Sequence, residues 1–423
     1  FGVAGDMLYE ILDQSLAPTV DGKTTKAIKL CFAAFVLVFC KYHPSGGRPV
    51  IPSGAVDELF EAVLHTKESD LFDDGNIFEQ QFRRATQLIP EALAALGVMN
   101  VDKAVDGNGN VNGESSTTLQ LKHDIMLEYG DYLLSPEGGL GDLVRDAELV
   151  WNRAFASSYL EDMVGNSTWD VTKPNAGRKY ALEFLVNHLL RAEMIQEAAV
   201  LLRDERFVRG RLIALGLNKG TKKHVQDCEE TFDLLLDIRS SMTEPGDFIS
   251  RAYEKCGAVI STQLSSSHSL GSTASGHETV DAGLAYNAMG FSLAERNRWL
   301  DATYHYNRSY ELLDMALGDN EVVASILFNR SVVYFETNQY EKSMESLDEC
   351  LNQRTAIYGE QGPLVAQTIC KKGCVFAAMS DYPAAMYNYR KALDIYQVEP
   401  NRSRVEIGNT FQAMGRMHRE KGE

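Results

Sequence analysis

The chain has 423 residues, 44% hydrophobic and 24% charged, with a formal net charge of −18. That length allows two or three domains with separate cores, and the balance is that of a folded protein. The excess of acid opposes broad attraction to nucleic acid or an anionic membrane, and the longest apolar run, Cys31–Cys40, is about half of what a bilayer span needs.

Taken in chain order, Met7–Leu16 has apolar residues at helical spacing and predicts an amphipathic helix. The stretch after it, "APTVDGKT" (Ala17–Thr24), ends like a phosphate-binding loop but has Ala17 at the first glycine position. A working P-loop needs a buried strand before its turn, and here a helix precedes it. It is read as a helix–helix loop, with Thr24 or Thr25 capping the next helix. Cys31–Cys40 belongs to that buried helix, and Ser53 looks like the N-cap of another, with Val56, Leu59, Phe60 and Val63 on one face. A further helix is expected over about 78–96, ending at Gly97. "VMNVDKAV" and "STTLQL" then flank a Gly- and Asn-rich turn, the pattern of a hairpin of two short strands. That turn is not a calcium loop, because Val111 and Thr117 occupy the positions that need glycine and glutamate.

Helices followed by a hairpin describe a winged helix over 1–135, and "IKLCFAAFVLVFCKYHPSGGRPVIPSGAVDELFEAV" resembles that domain of the signal-transduction NTPases with numerous domains (STAND, including NB-ARC proteins). After the hairpin, "LQLKHDIMLEYGDYLL" is similar to the family's Met-His-Asp motif, with His123 and Asp124 at its last two positions and Lys122 departing from the apolar first one. The resemblance implies that His123 contacts an ADP phosphate in the parent protein, clamping the winged helix on a nucleotide-binding domain that lies upstream. It also implies ADP or ATP as the parent's cofactor, and none in this segment.

The middle, 136–260, reads as a helical arm. Its block Lys179–Gly216 is similar to the segment that follows the winged helix in apoptosome-type relatives, through Tyr180, His188, Leu189 and Leu201–Asp204. "STQLSSSHSLGSTASGHE" is small and polar, and a flexible linker is expected over 261–279.

From 280 to 423 the sequence repeats. A small residue is followed by an aromatic or aliphatic one three later, a small one twelve later and a bulky one sixteen later. The sets are Gly290, Leu293, Ala302 and Tyr306; Ser331, Tyr334, Ser343 and Leu347; and Gly373, Phe376, Ala385 and Tyr389. Gly290 and Ser331 are 41 residues apart, Ser331 and Gly373 are 42, and a fourth start at Gly415 breaks off at Glu423. Small residues let paired antiparallel helices approach, and bulky ones fill the space between pairs. The pattern resembles tetratricopeptide repeats of the longer, kinesin-light-chain type, three full and a fourth truncated. The first helices of such a solenoid would line a groove with Asn287, Phe291, Phe328, Phe335, Gln367 and Arg416, suited to a protein or peptide ligand.

The seven cysteines follow no disulfide or metal spacing and are read as reduced core residues of a cytoplasmic protein. No catalytic or metal constellation presents itself. The expected whole is mainly α: a winged helix with a small hairpin, a helical arm and a superhelical solenoid. It would be a non-catalytic regulatory and interaction region, a piece of a longer protein without a membrane partner. The alternatives are a winged-helix transcription regulator with a repeat sensor, or a plain repeat scaffold. Val56–His65 carries three acids and no Lys or Arg, which disfavours nucleic acid as a partner.

Overall fold

The structure, a computed structural model, describes residues 31–41, 43, 49–65, 99–103, 117–121, 130, 133, 147–161, 176–237, 245–269, 276–398 and 403–422. The chain divides into two compact units, Phe1–Leu215 with Asp233–Ile238, and Gly216–Phe232 with Arg239–Glu423. The division falls at Leu215 rather than at the boundaries expected near 135 and 260, because the first helices of the expected arm share a core with the residues before them.

In the first unit residues 31–40 are helical and wholly buried, with Val36–Cys40 wound as a π-helix that the sequence pattern did not disclose. The wider turn has an external partner. Arg191 donates to the carbonyls of Val38 at 2.9 Å and Leu37 at 2.5 Å, and its Nε meets Glu148 at 3.1 Å. Strand β1 (Ile51–Pro52) leads into α1 (Ser53–His65), where Ser53 is the first helical residue and Val56, Leu59 and Phe60 are buried. β2 (Met99–Lys103) and β3 (Thr117–Leu121) form the expected antiparallel hairpin, from Met99 opposite Leu121 to Lys103 opposite Thr117. The sheet is larger than expected: β1 pairs with β3 through Ile51 and Leu119, giving the order β1-β3-β2. A two-residue edge strand containing proline has no alternation to read, and proline's missing N–H is tolerated at an edge.

Helices α2 (Ala147–Glu161), α3 (Ala176–Arg191), α4 (Ile195–Leu201) and α5 (Glu205–Leu215) complete this unit. Phe39 stands edge-on to Phe155 and Tyr180, with ring centroids 5.2 and 5.3 Å away. Aromatic pairs in that geometry contribute about 0.5–1.5 kcal/mol beyond their buried area. The polar atoms inside this nest are satisfied: His188 Nδ1 lies 2.8 Å from Asn152 Oδ1, and its Nε2 lies 3.1 Å from the Tyr180 hydroxyl. Tyr180 and His188, two of the residues that carried the family resemblance, are therefore one hydrogen-bonded core element.

The second unit is a helical solenoid. It runs through α6 (Leu217–Asp237, whose residues from Asp233 on belong to the first unit), α7 (Pro245–Ser269), α8 (Gly276–Glu295), α9 (Trp299–Leu317), α10 (Glu321–Glu336), α11 (Tyr340–Tyr358), α12 (Pro363–Ala378), α13 (Tyr382–Tyr396) and α14 (Arg404–Lys421). The pairs α8–α9, α10–α11 and α12–α13 coincide with the three repeats, and α14 opens the fourth. Residues 261–269 and 276–279 are helical, not the flexible linker expected there. Val259, Ile260 and Leu264 are buried on one face of α7. Its serines do not break it, because Ser265 and Ser266 each donate to a carbonyl four residues back, at 2.9 Å.

The repeat positions behave as their chemistry requires. Leu293, Ala302, Ser331, Ser343, Leu347 and Ala385 have no exposed area, and Tyr306 and Tyr389 almost none. Where both small residues are serine, the helices are also tied by Ser343 donating to the Ser331 carbonyl at 2.8 Å. The turn inside each pair has one left-handed residue, Asn297, Asn338 or Ser380, at φ 57°, 58° and 63°. The amide that follows each turn returns to the carbonyl of Leu293, Tyr334 or Phe376 at 2.8–2.9 Å. Asn and Ser carry short polar side chains, and Asn in particular tolerates this conformation.

Candidate peptide-binding groove

The first helices of the repeats, α8, α10, α12 and α14, carry all six residues expected in the groove, but not in one equivalent environment. Phe291 is exposed on α8. Asn287, a turn earlier, is half-buried, and its Oδ1 has no hydrogen-bond partner. Phe328 and Gln367 are engaged internally. The buried Arg354 of α11 lies 4.7 Å from the Phe328 ring centroid and donates to Gln367 Oε1 at 3.0 Å, to Thr368 Oγ1 at 2.9 Å and to the Leu364 carbonyl at 3.0 Å. Burial holds the Arg354 pKa below its ordinary value. These two residues are thus part of a buried network that links the second and third repeats.

Phe335 and Arg416 are brought together. They line a cavity of about 250 Å³ with Glu336 on α10, Lys371, Cys374, Ala377 and Ala378 on α12, Tyr389 on α13, and Ala413, Met417 and Glu420 on α14. Its floor is apolar and aromatic and its rim is charged. The Lys371 ammonium lies 4.0 Å from the Phe335 ring centroid, a cation–π contact. Burial pulls the Lys371 pKa down; Cys374 and Glu336 oppose that shift, and Arg416 adds to it. Cys374 is held below an ordinary thiol, first by a hydrogen bond from Cys370 and then, against burial, by the Tyr389 hydroxyl, Lys371 and Arg416. Cys370 moves the opposite way, raised by Cys374 and by burial.

Lys371, Cys374 and Tyr389, not among the residues expected there, also line this cavity, and the repeat register contains a signal for two of them. Cys374 directly follows Gly373, as Phe291 follows Gly290 and Arg416 follows Gly415. Lys371 stands four residues after Gln367, one turn along the same helix face. Tyr389, a buried position of the repeat, also lines this cavity.

His123 lies outside the described residues. So do the expected helix Met7–Leu16, the loop Ala17–Thr24, the helix over 78–96 and the turn between β2 and β3. Among the described residues no group of His, Cys, Asp or Glu could hold a metal ion, and no helix is long and apolar enough to cross a membrane.

Residues 322–397, spanning α10 to α13, match the Tetratricopeptide repeat family. Comparison with curated proteins gives no match. Among solved structures, the chain is similar to a Signal Transduction ATPase with Numerous Domains (STAND) protein with a tetratricopeptide repeat sensor from Pyrococcus horikoshii. The identity is 10% and the TM-score 0.31, over 99% of this chain and 56% of that one. The chain therefore spans little more than half the length of that protein, and a likeness so distant carries no functional argument.

Proposed function

We propose that this chain is a non-catalytic regulatory and interaction region of a STAND-type signalling ATPase in the cytoplasm. Its repeat groove binds a protein or peptide, and its winged helix restrains the ADP-bound state of the parent protein. The observation that carries the binding part is the cavity shared by Phe335, Lys371 and Arg416 on successive first helices. An apolar floor bordered by Lys371, Arg416, Glu336 and Glu420 suits an aliphatic or aromatic side chain flanked by polar or charged ones. The winged-helix part rests on the order of α1 and the β2–β3 hairpin ahead of the His123-Asp124 motif, and on the likeness of Lys179–Gly216 to the family's helical segment.

The binding part is tested by selecting ligands from a displayed random-peptide library on the full chain. Their dissociation constants are then measured by fluorescence anisotropy for wild type, Phe335→Ala, Arg416→Ala and, as an exposed control on α9, Leu300→Ala. Loss of a groove anchor is expected to cost about 1–2 kcal/mol, roughly 5- to 30-fold in affinity, with the control unchanged. Equal binding by all four proteins would place the ligand elsewhere.

A further inference from the structure

We infer that Cys374 is a modification site: a nucleophilic thiol, held in the cavity of Lys371 and Arg416 and backed by Cys370, that a hydroperoxide oxidises to the sulfenic acid. This does not depend on whether the groove takes a peptide.

The chain has seven cysteines, none of them in a disulfide. Cys31, Cys40, Cys228, Cys256 and Cys350 are fully buried, and Cys370 and Cys374 are partly exposed. Of these two, only Cys374 lines the cavity. Cys370 turns toward α14, with Sγ 3.5 Å from Thr410 Oγ1. Lys371 rests on the Phe335 ring, and Arg416 is exposed and makes no salt bridge among the described residues. Both positive charges line the cavity that holds the Cys374 thiol. The Tyr389 hydroxyl and the Cys370 thiol supply hydrogen bonds to the same sulfur. Glu336 and Glu420 also line the cavity and offset part of that field, and Cys374 stands near the C-terminus of α12, where the helix dipole disfavours an anion. Against burial, the hydrogen bond from Cys370, the Tyr389 hydroxyl, Lys371 and Arg416 leave the thiol below its ordinary value.

The thiolate sulfur attacks the nearer oxygen of the hydroperoxide; an S–O bond forms and the O–O bond breaks. The departing oxygen keeps the electron pair and takes a proton from solvent, leaving as an alcohol or water. Sulfur is oxidised by two electrons and the peroxide is reduced by two. A raised thiolate fraction is what makes one cysteine react ahead of the rest.

The test is time-resolved alkylation of the full chain with iodoacetamide, mapped by peptide mass spectrometry from pH 6 to 9. A second arm treats the chain with hydrogen peroxide and traps sulfenic acid with dimedone. Cys374 should alkylate about tenfold faster than Cys370 at pH 7. Between pH 8.5 and 6.5 its rate should fall less than about threefold, where an ordinary thiol of pKa ~8.5 loses about 50-fold. Arg416→Gln, at an exposed position, should slow Cys374 several-fold at pH 6.5 while leaving the circular dichroism unchanged. Dimedone should mark Cys374 in wild type and nothing in Cys374→Ser. An ordinary pH profile at Cys374, faster labelling of Cys370, insensitivity to Arg416→Gln, or no dimedone adduct while glutathione is oxidised alongside would each overturn the inference.

Discussion

At the scale of single residues, His305 is the buried group whose protonation the fold opposes most plainly. It is 4% exposed on α9, ringed by Tyr253, Tyr286 and Tyr304 at 5.2–6.3 Å, and its Nδ1 has no hydrogen-bond partner. Burial lowers its pKa to about 4, and the nearby Asp301 pulls only weakly the other way. The folded state therefore favours the neutral ring. This contribution is fully present above the unfolded pKa near 6.5 and is lost as pH falls from there toward 4, by at most about 3 kcal/mol. His305→Phe should remove that dependence. In urea titrations at pH 7 and pH 4, the wild type should lose more stability than the variant. Equal losses would show that His305 does not titrate on unfolding.

At the scale of the helical element, one repeat position predicts opposite outcomes in two places. A Cβ on Gly373 would come within 2.7 Å of the Tyr389 ring, so Gly373→Ala forces the second helix away at a cost of about 1–3 kcal/mol. A Cβ on Gly415 meets nothing within 4 Å, so Gly415→Ala should be neutral or stabilise by up to about 1 kcal/mol through helix propensity. Thermal denaturation of both variants, with a common circular-dichroism readout, checks the sign of each. The same build also occurs outside the repeats. Val186, Leu189, Ala198 and Leu202 of the α3–α4 pair follow the identical spacing and are fully buried. Glu193 supplies the left-handed turn residue at φ 56°, and the Met194 amide returns to the Leu189 carbonyl at 2.9 Å. The sequence hid this pair because valine, not a small residue, takes the first position.

At the scale of the whole molecule, the charge of −18 shapes which partners are reachable. Helix α1 would have to carry base contacts in a DNA-binding reading, yet Asp57, Glu58 and Glu61 would face phosphate. A protein-binding switch has no such conflict. In the proposed switch, a charge-assisted hydrogen bond from His123 to ADP would contribute roughly 1.5–3 kcal/mol to the closed state. His123→Ala in the full-length parent protein should then release bound ADP about 10- to 100-fold more readily and raise basal signalling. Unchanged ADP occupancy after gel filtration would exclude that role.

The amino-acid sequence by itself determined the solenoid and the hairpin, because both write a period into the chain. Four marked positions recur every 41 or 42 residues, and two short strands flank a turn rich in Gly and Asn. Its register also put Phe335 and Arg416 on the first helices of their repeats, where they come to line one cavity. Tertiary structure alone decided the rest. It joined Phe39 to Tyr180 and His188, it added Ile51 to the sheet, and it turned a serine-rich stretch into the end of α7. It also gathered Lys371, Cys374, Tyr389 and Arg416 around one cavity. Such contacts join residues far apart in the chain or on different helices, where no local periodicity records them and only packing brings the partners within reach.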